Sequence, residues 1–140
     1  FVLSVAVNSV ICYAFGMSDR HLRNILVDTT TGGVVHVDFG EAFWKGLSFG
    51  DSDPLPFRFT HELVDEMGFM KEKGLFLSTL TDVLAVLIKH KTEVLDLMKL
   101  SIVCQLFDTD SLDRAVLTAT GVWGLLATGL GKPLKALSIP

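Results

Sequence analysis

The first seventeen residues are mostly apolar, and their pattern predicts a helix that is apolar on most sides. The apolar positions recur at helical spacing through Val2, Val5, Val7, Val10, Ile11 and Ala14. Gly16 should end this helix, because glycine readily adopts the left-handed conformation found just past helix ends. We therefore expect a buried helix that delivers the chain into Met17, Ser18 and Asp19.

Two short β-branched runs follow and predict a hairpin. They are ILV at residues 25–27 and VVHV at 34–37, and the sequence TTTGG between them is typical of a turn. From residue 38 to 59 no periodic pattern remains, and frequent glycine, proline and aromatic residues indicate a long loop with hydrophobic anchors.

Helical patterns dominate the next stretch. Thr60 is a candidate N-cap and Gly68 closes a short helix. Apolar residues then recur at helical spacing from Leu75 to about Lys91, and again from Thr92 to about Val103. The predicted fold class is α+β, mostly α, with one β-hairpin.

Composition favours one globular domain, because 49% of the residues are hydrophobic and only 20% are charged. The formal charge of -4, with basic residues scattered singly or in pairs, argues against direct nucleic-acid binding by this segment. Cys12 and Cys104 form no CxxC pair, so we expect free thiols in a reducing compartment, either cytosolic or nuclear.

Neither of the two longest apolar stretches is expected to enter a membrane. Residues 1–17 contain polar side chains, lack a basic flank and begin without Met, so we interpret them as a fragment boundary rather than a signal peptide. Residues 115–130 are short for a bilayer span and carry several glycines and threonines.

A polar cluster, residues 19–24, lies between the first helix and the hairpin. Taken singly, Asp19 could be a turn residue, Asn24 a cap and His21 a core histidine. With the turn centred on Thr31, however, Asn24 and Asp38 are each seven residues from it. Antiparallel pairing would then bring their backbones within about 5–6 Å. An amide oxygen and a carboxylate there suit a hard cation such as Mg²⁺.

Two spacings connect this cluster to phosphoryl transfer. Asp38-Phe39-Gly40 is the magnesium-holding triplet of protein kinases, and Asp19 precedes Asn24 by the five residues that separate catalytic Asp and metal-binding Asn in kinases. The order here is Asp-Arg-His, however, and not the His-Arg-Asp of ordinary protein kinases.

With that order, the stretch FGMSDRHLRNILVDTTTGGVVHVDFGEAF, followed by PLPFRFT, resembles the phosphatidylinositol 3-kinase-related protein kinases over about residues 1–100. Within that family, TGGVV and MKEKGLF are most similar to the DNA-dependent protein kinase branch. THELVDEMG is also similar to the ataxia-telangiectasia and Rad3-related branch.

The resemblance implies a role for each polar residue. Asp19 would orient or deprotonate the substrate hydroxyl, and His21 would be either the alternative base or a stabiliser of charge on the transferring phosphoryl group. The sequence does not choose between these two bases. Asn24 and Asp38 would hold the Mg²⁺ that bridges the ATP phosphates, with Mn²⁺ as a substitute. Arg20 would brace the catalytic loop.

The resemblance also implies a division of the chain. Residues 1–107 would be the C-lobe of the catalytic domain, which makes the fold a kinase-like C-lobe fragment whose hairpin carries the catalytic loop (17–24) and the metal-binding loop. Residues 38–60 would be the activation segment, and 108–140 a divergent or truncated tail. The activation-segment residues that match the family are Phe39, Gly40, Pro56, Phe57, Arg58 and Thr60.

The charges of the activation segment bear on the acceptor. Only Lys45 and Arg58 are basic, against the acidic residues Glu41, Asp51 and Asp53. Because lipid kinases use basic residues here to bind an anionic headgroup, we expect a protein serine or threonine acceptor rather than a phosphoinositide.

One position departs from the family pattern, since Ser18 stands where members usually have glycine. If the backbone there needs a positive φ, serine costs about 1 kcal/mol and could displace the loop.

We therefore expect a fragment of an ATP- and Mg²⁺-dependent serine/threonine protein kinase. By resemblance the complete protein would act in nuclear DNA-damage and double-strand-break signalling, with the cytoplasm as an alternative location. Its partners would be protein substrates and regulatory or DNA-end-binding subunits. The ATP-holding half is missing from this sequence, so the isolated chain should be inactive. The rival hypothesis is a truncated product or pseudokinase that acts as a scaffold, and a lipid kinase is a third.

Overall fold

The computed structural model describes residues 1–42 and 57–105, which are mostly helical with one two-stranded antiparallel sheet. The elements are α1 (Val2–Ala14), a 3₁₀ turn (Leu22–Asn24), β1 (Ile25–Val27), β2 (Val34–His36), α2 (His61–Asp65), a second 3₁₀ turn (Lys71–Lys73), α3 (Leu75–Lys89) and α4 (Lys91–Gln105). The predicted mostly helical α+β fold with one hairpin is confirmed for these residues. The middle of the predicted loop (43–56) and the predicted tail lie outside the described residues.

The chain divides into two compact units, Phe1–Val83 and Leu84–Pro140. In the first unit the buried apolar residues come from α1, β2, α2 with the residues that follow it, and the first half of α3: Val5, Ala6, Val10, Cys12, Ala14, Val34, Val64, Met67, Phe76 and Leu80. In the described part of the second unit they are Leu84, Leu95 and Met98. None of the described helices is both long enough and apolar enough to cross a membrane.

Helix α1 ends as predicted at Gly16, and the backbone shows why glycine stands there. The Gly16 N–H donates to the Tyr13 carbonyl at 3.4 Å, and the Met17 N–H donates to the Cys12 carbonyl at 2.9 Å. These two bonds form a Schellman motif, which requires a left-handed residue between them. Gly16 supplies it with φ of 55° and turns the chain out of α1 into the polar cluster.

The hairpin forms as predicted, but its register is shifted by one residue on β2. Ile25 pairs with His36 and Val27 with Val34, so that Asn24 faces Val37 and not Asp38. The Val37 N–H accordingly donates to the Asn24 carbonyl at 3.0 Å.

The reason for the shift lies in the turn, which is closed by Asp28 and Gly33. The Asp28 N–H donates to the Gly33 carbonyl at 2.8 Å, and its carboxylate accepts from the Thr30 N–H at 2.9 Å and the Thr31 hydroxyl at 2.5 Å. Hydrogen bonds from Thr31 and Thr30 lower the Asp28 pKa. The loop between the closing pair has four residues, so its centre falls between Thr30 and Thr31.

Two polar side chains of α1 bind the outer edge of β2. The Ser4 hydroxyl accepts from the Val34 N–H at 2.8 Å and donates to the Phe1 carbonyl at 2.6 Å. Asn8, one turn further along α1, donates through Nδ2 to the Val34 carbonyl at 3.0 Å. Both backbone groups of Val34 are thereby satisfied, as partly buried peptide groups require. The hairpin is thus held to α1 by hydrogen bonds as well as by apolar packing.

Aromatic side chains connect the C-terminal end of the predicted loop to α3. The rings of Phe57 and Phe59 meet edge to face with centroids 5.9 Å apart, and Phe59 stacks on Phe76 of α3 at 4.8 Å. Such aromatic pairs add stability beyond the area they bury. The predicted hydrophobic anchoring of the loop is therefore confirmed at its C-terminal end.

Replacing Ser4 by alanine should lower the free energy of unfolding by about 1–2 kcal/mol, because the partly buried Val34 N–H would lose its acceptor. The matched control is Ser78→Ala: the Ser78 hydroxyl also donates to a carbonyl three residues earlier, that of Leu75, at 3.1 Å, but it is exposed and accepts no bond from the described residues. Its effect should stay within about 0.5 kcal/mol. Urea unfolding monitored by circular dichroism measures both, and equal losses would show that the Ser4–Val34 bond contributes nothing.

Candidate active site

Arg20 holds the polar cluster together. Its Nε donates to the Ser18 carbonyl at 2.8 Å, its Nη1 to the Val37 carbonyl at 2.9 Å and its Nη2 to the Asp38 carbonyl. The side chain is buried, and its Cζ lies 5.7 Å from the centre of the Phe39 ring. A rigid guanidinium fork suits three acceptors at fixed positions. Arg20 therefore ties the loop after α1 to the end of the hairpin.

A second link joins Ser18 to Glu41. The Ser18 N–H donates to the Glu41 carbonyl at 2.8 Å, and the Ser18 hydroxyl approaches the same oxygen at 3.3 Å. Ser18 does not have a positive φ, so the strain considered for this position is absent. The left-handed residue is instead Asp19, with φ of 55°. Aspartate tolerates that conformation better than most residues because its short side chain can hydrogen-bond locally.

Asn24 fixes the other side of the loop. Its side chain is buried, and Nδ2 donates to the Asp19 carbonyl at 3.0 Å. Its N–H donates to the His21 carbonyl at 2.9 Å and closes the first 3₁₀ turn. Because the amide nitrogen is committed to the loop, Oδ1 is the end of the Asn24 side chain that remains to accept a ligand.

His21 and Asp19 lie side by side at the surface. The Nε2 of His21 is 3.8 Å from Oδ1 of Asp19, and both side chains are about half exposed (52% and 51%). The Nδ1 of His21 accepts from the Arg23 N–H at 3.2 Å. An imidazole nitrogen that accepts carries no proton, so in the neutral ring the proton is on Nε2, the nitrogen nearest Asp19.

Asp38 also adopts a left-handed conformation, with φ of 58°. One carboxylate oxygen, Oδ1, accepts from the Gly40 N–H at 3.2 Å, and the side chain is exposed. A Cβ on Gly40 would lie 3.3 Å from that oxygen, so a larger residue here would require the Asp38 carboxylate to shift by a few tenths of an ångström.

The donors that Asn24 and Asp38 offer fit a hard cation. Both side chains present oxygen, and Mg²⁺ is usually bound by one or two protein oxygens together with phosphates and water. Within residues 1–42 and 57–105, no three His, Cys, Asp or Glu side chains lie close enough together to form a metal cluster. Two protein oxygens would leave the remaining positions around such an ion to phosphates and water.

The predicted activation-segment residues fall at both ends of that segment. Phe39 and Gly40 follow Asp38 directly, and Thr60 precedes α2 as its N-cap. Phe57 and Arg58 border a small cavity of about 20 Å³ that is also lined by Val5, Ser9, Ile25, Val34, His36 and Leu63. Pro56 lies outside the described residues.

A buried thiol of α1 and an imidazole of β2 contact each other. Sγ of Cys12 is 3.4 Å from Nδ1 of His36, and burial raises the pKa of Cys12. Burial, and secondarily the charge of Arg20, lower the pKa of His36. These shifts favour the neutral thiol and the neutral imidazole, so the pair belongs to the supporting structure rather than to an activated nucleophile.

Several of these supporting residues escaped the sequence analysis. In the sequence, the polar residues of the first helix argued only against a membrane span. Ser4 and Asn8 are one helical turn apart, however, and this spacing could have indicated that both contact the same neighbouring element. Nothing in the sequence pairs Ser18 with Glu41 or Cys12 with His36, because each contact crosses more than twenty residues.

Comparison with known proteins agrees with this architecture. The family profile described as phosphatidylinositol 3- and 4-kinase matches residues 1–111. Serine/threonine-protein kinase TEL1 of Candida glabrata is 39% identical over 95 residues, which cover 68% of this chain and 3% of the relative. Serine/threonine-protein kinase ATM of Arabidopsis thaliana is 36% identical over 102 residues, covering 73% and 3%. Serine/threonine-protein kinase ATR of Oryza sativa subsp. japonica is 38% identical over 96 residues, covering 69% and 4%.

The chain belongs to the phosphatidylinositol 3- and 4-kinase family, and within it to the phosphatidylinositol 3-kinase-related protein kinases. It spans only 3–4% of the length of these three relatives. The closer resemblance to the DNA-dependent protein kinase branch stays a prediction, because none of the three carries that name.

Replacing Arg20 by methionine should raise the pKa of His36 part of the way towards its usual value of about 6.5. The rise is only partial because burial, the larger cause of the lowered pKa, remains. The same change should lower the free energy of unfolding by about 2–4 kcal/mol, since three carbonyls lose a charged donor. NMR titration of His36 and urea unfolding measure the two effects.

Two control variants separate charge from geometry. Arg20→Lys keeps the charge but loses the fork, so it should destabilise the fold while leaving the His36 pKa low. Arg23→Met removes an exposed arginine three positions away and should change neither quantity. An unchanged His36 pKa in Arg20→Met would contradict the electrostatic effect of Arg20.

Proposed function

We propose that this chain is the acceptor- and metal-binding half of the catalytic domain of an ATP- and Mg²⁺-dependent serine/threonine protein kinase. The observation that carries the proposal is the bonding of Arg20, which joins the loop bearing Asp19 and His21 to the backbone of Asp38. Phosphoryl transfer depends mainly on positioning and electrostatic stabilisation, so a rigidly braced set of polar groups is what it needs.

The hydrogen bonds favour different roles for Asp19 and His21. The Asp19 carboxylate has free lone pairs at the surface, so it can orient the acceptor hydroxyl and take its proton. His21 has its one free lone pair occupied by the Arg23 N–H, which leaves Nε2–H as a donor. A donor there can stabilise charge on the transferring phosphoryl group. We therefore propose Asp19 as the base.

Asn24 and Asp38 would hold the magnesium ion, each through an oxygen. When bound with ATP, the ion would neutralise charge on the phosphates. The chain itself contributes the rigid placement of the two oxygens, through the bond of Asn24 to the Asp19 carbonyl and that of Asp38 to Gly40. Residues that hold the nucleotide would belong to the other lobe.

The names of the relatives, all serine/threonine-protein kinases, support a protein acceptor. The two basic residues of the activation segment against three acidic ones support the same choice over an anionic lipid headgroup. For the complete protein we propose nuclear signalling of DNA damage, including double-strand-break repair, together with regulatory or DNA-end-binding subunits. These proposals rest on the family.

Replacing Asp38 by asparagine in the complete kinase should reduce transfer to a serine peptide to background, because the metal would lose its charged ligand. Asparagine tolerates the left-handed backbone at this position, so the fold should survive, which circular dichroism can verify. Asp38→Ala should be equally inactive but less stable. Asp82→Asn, the same chemical change at an exposed site on α3, is the control and should keep full activity.

Full activity of Asp38→Asn would refute the metal role of Asp38. Transfer by the unaltered kinase to phosphoinositide and not to peptide would favour the lipid-kinase alternative. Absence of any transfer would favour the scaffold.

Asp19→Asn should lower kcat by about 10²- to 10⁴-fold with little change in KM, as expected for loss of a general base. His21→Gln should lower kcat less than Asp19→Asn does, since glutamine retains an N–H donor, and His21→Ala should lower it more than His21→Gln. Steady-state kinetics of the three variants from pH 5.5 to 9 provide the measurement. A loss in His21→Gln as large as that in Asp19→Asn would identify His21 as the base.

A further inference from the structure

Two arginines three positions apart in the catalytic loop have opposite surroundings. Arg20 is buried and gives its guanidinium to three carbonyls. Arg23 is exposed, and its guanidinium makes no hydrogen bond or ion pair with any of the residues that the structure describes. The bracing of the loop therefore does not require Arg23, and its charge is available to a ligand.

The backbone of Arg23 is nevertheless fixed beside the reacting groups. Its N–H donates to Nδ1 of His21 at 3.2 Å, and it lies in the 3₁₀ turn immediately before the buried Asn24. The side chain therefore starts one hydrogen bond from the His21 ring and one residue from a proposed metal ligand. From this fixed backbone position, the long arginine side chain has the space around the site within its reach.

The chemistry of an unpaired guanidinium defines which ligands it would bind. Arginine binds carboxylate and phosphate groups through two parallel hydrogen bonds, and it repels cationic groups. The His21 ring contacts both residues, Asp19 through Nε2 and the Arg23 N–H through Nδ1, so an acceptor peptide placed on Asp19 would lie one imidazole ring away from the Arg23 backbone. An anionic side chain of that peptide is thus the natural partner.

We propose that Arg23 is a specificity-determining residue that favours protein acceptors with an acidic or phosphorylated side chain within a few residues of the phosphorylated serine or threonine. This inference rests on the proposed protein-kinase function and deepens it by naming the acceptor class.

The preference should be modest. Arg23 is exposed, and exposed ion pairs typically change an equilibrium by a few-fold. We expect kcat/KM for an acidic peptide to exceed that for its neutral counterpart by about three- to tenfold at low salt. The ratio should shrink as salt screens the pair over a Debye length of about 8 Å at physiological ionic strength.

The test uses the complete kinase with ATP and Mg²⁺ and a set of serine peptides. Glutamate replaces glutamine at one position at a time, within three residues on either side of the serine. The kinase is compared with Arg23→Gln, Arg23→Lys and Arg23→Glu. Lys73→Gln is the charge control, because Lys73 is exposed and its side chain has no ionic partner among the described residues.

At one or more positions, the unaltered kinase and Lys73→Gln should prefer glutamate. Arg23→Gln should lose that preference, Arg23→Lys should retain part of it and Arg23→Glu should reverse it. Equal kcat/KM for every glutamate and glutamine pair in an active kinase would overturn the inference and leave the proposed function intact. An unchanged preference in Arg23→Gln would also overturn it. Transfer to phosphoinositide alone, or to no substrate, would overturn both.

Discussion

The buried guanidinium of Arg20 is the interaction on which the rest of the site depends. It donates to carbonyls on either side of a gap of almost twenty residues, Ser18 before it and Val37 and Asp38 after it. A charge can be buried at this position only because each arm of the fork finds an acceptor. The same requirement makes the arrangement specific, since moving either segment would leave donors of the buried guanidinium unpaired. Arg20 thus converts two loops without regular structure into one rigid unit.

The elements around Arg20 make this bonding possible. The Schellman motif at Gly16 fixes where the chain leaves α1, and Ser4 and Asn8 of the same helix fix β2 by its Val34 peptide groups. The two segments that carry the acceptor carbonyls are therefore both attached to α1. This limits the positions that Ser18 and Val37 can take relative to each other. Catalytic residues on loops gain precision when a scaffold of this kind positions both ends. The polar residues within the apolar helix α1 serve this purpose.

The sequence predicted the elements well because each has a local cause. Gly16 ends α1, the TTTGG run forms the turn, and apolar spacing defines α3 and α4. The register of the hairpin was predicted one residue wrong because it depends on the side chain of Asp28. That carboxylate favours a four-residue loop by accepting hydrogen bonds from Thr30 and Thr31. Residue propensities alone predict a turn here but not the number of residues in its loop. The positive φ considered for Ser18 is at Asp19 instead. This too depends on a residue distant in sequence, since the Ser18 N–H donates to the Glu41 carbonyl.

The two arginines of the polar cluster show where prediction from sequence ends. Both have the same chemistry and lie in one mostly polar hexapeptide, so no periodicity or composition separates a structural role from a binding role. Their surroundings separate them: Arg20 is buried and uses every guanidinium nitrogen in a bond inside the fold, whereas Arg23 is exposed and its guanidinium has no partner among the residues that the structure describes. The desolvation cost of Arg20 is offset within the chain, so its replacement should act first on stability. Arg23 is exposed, so its replacement should leave the fold unchanged and, in the role proposed for it, act on the choice of acceptor.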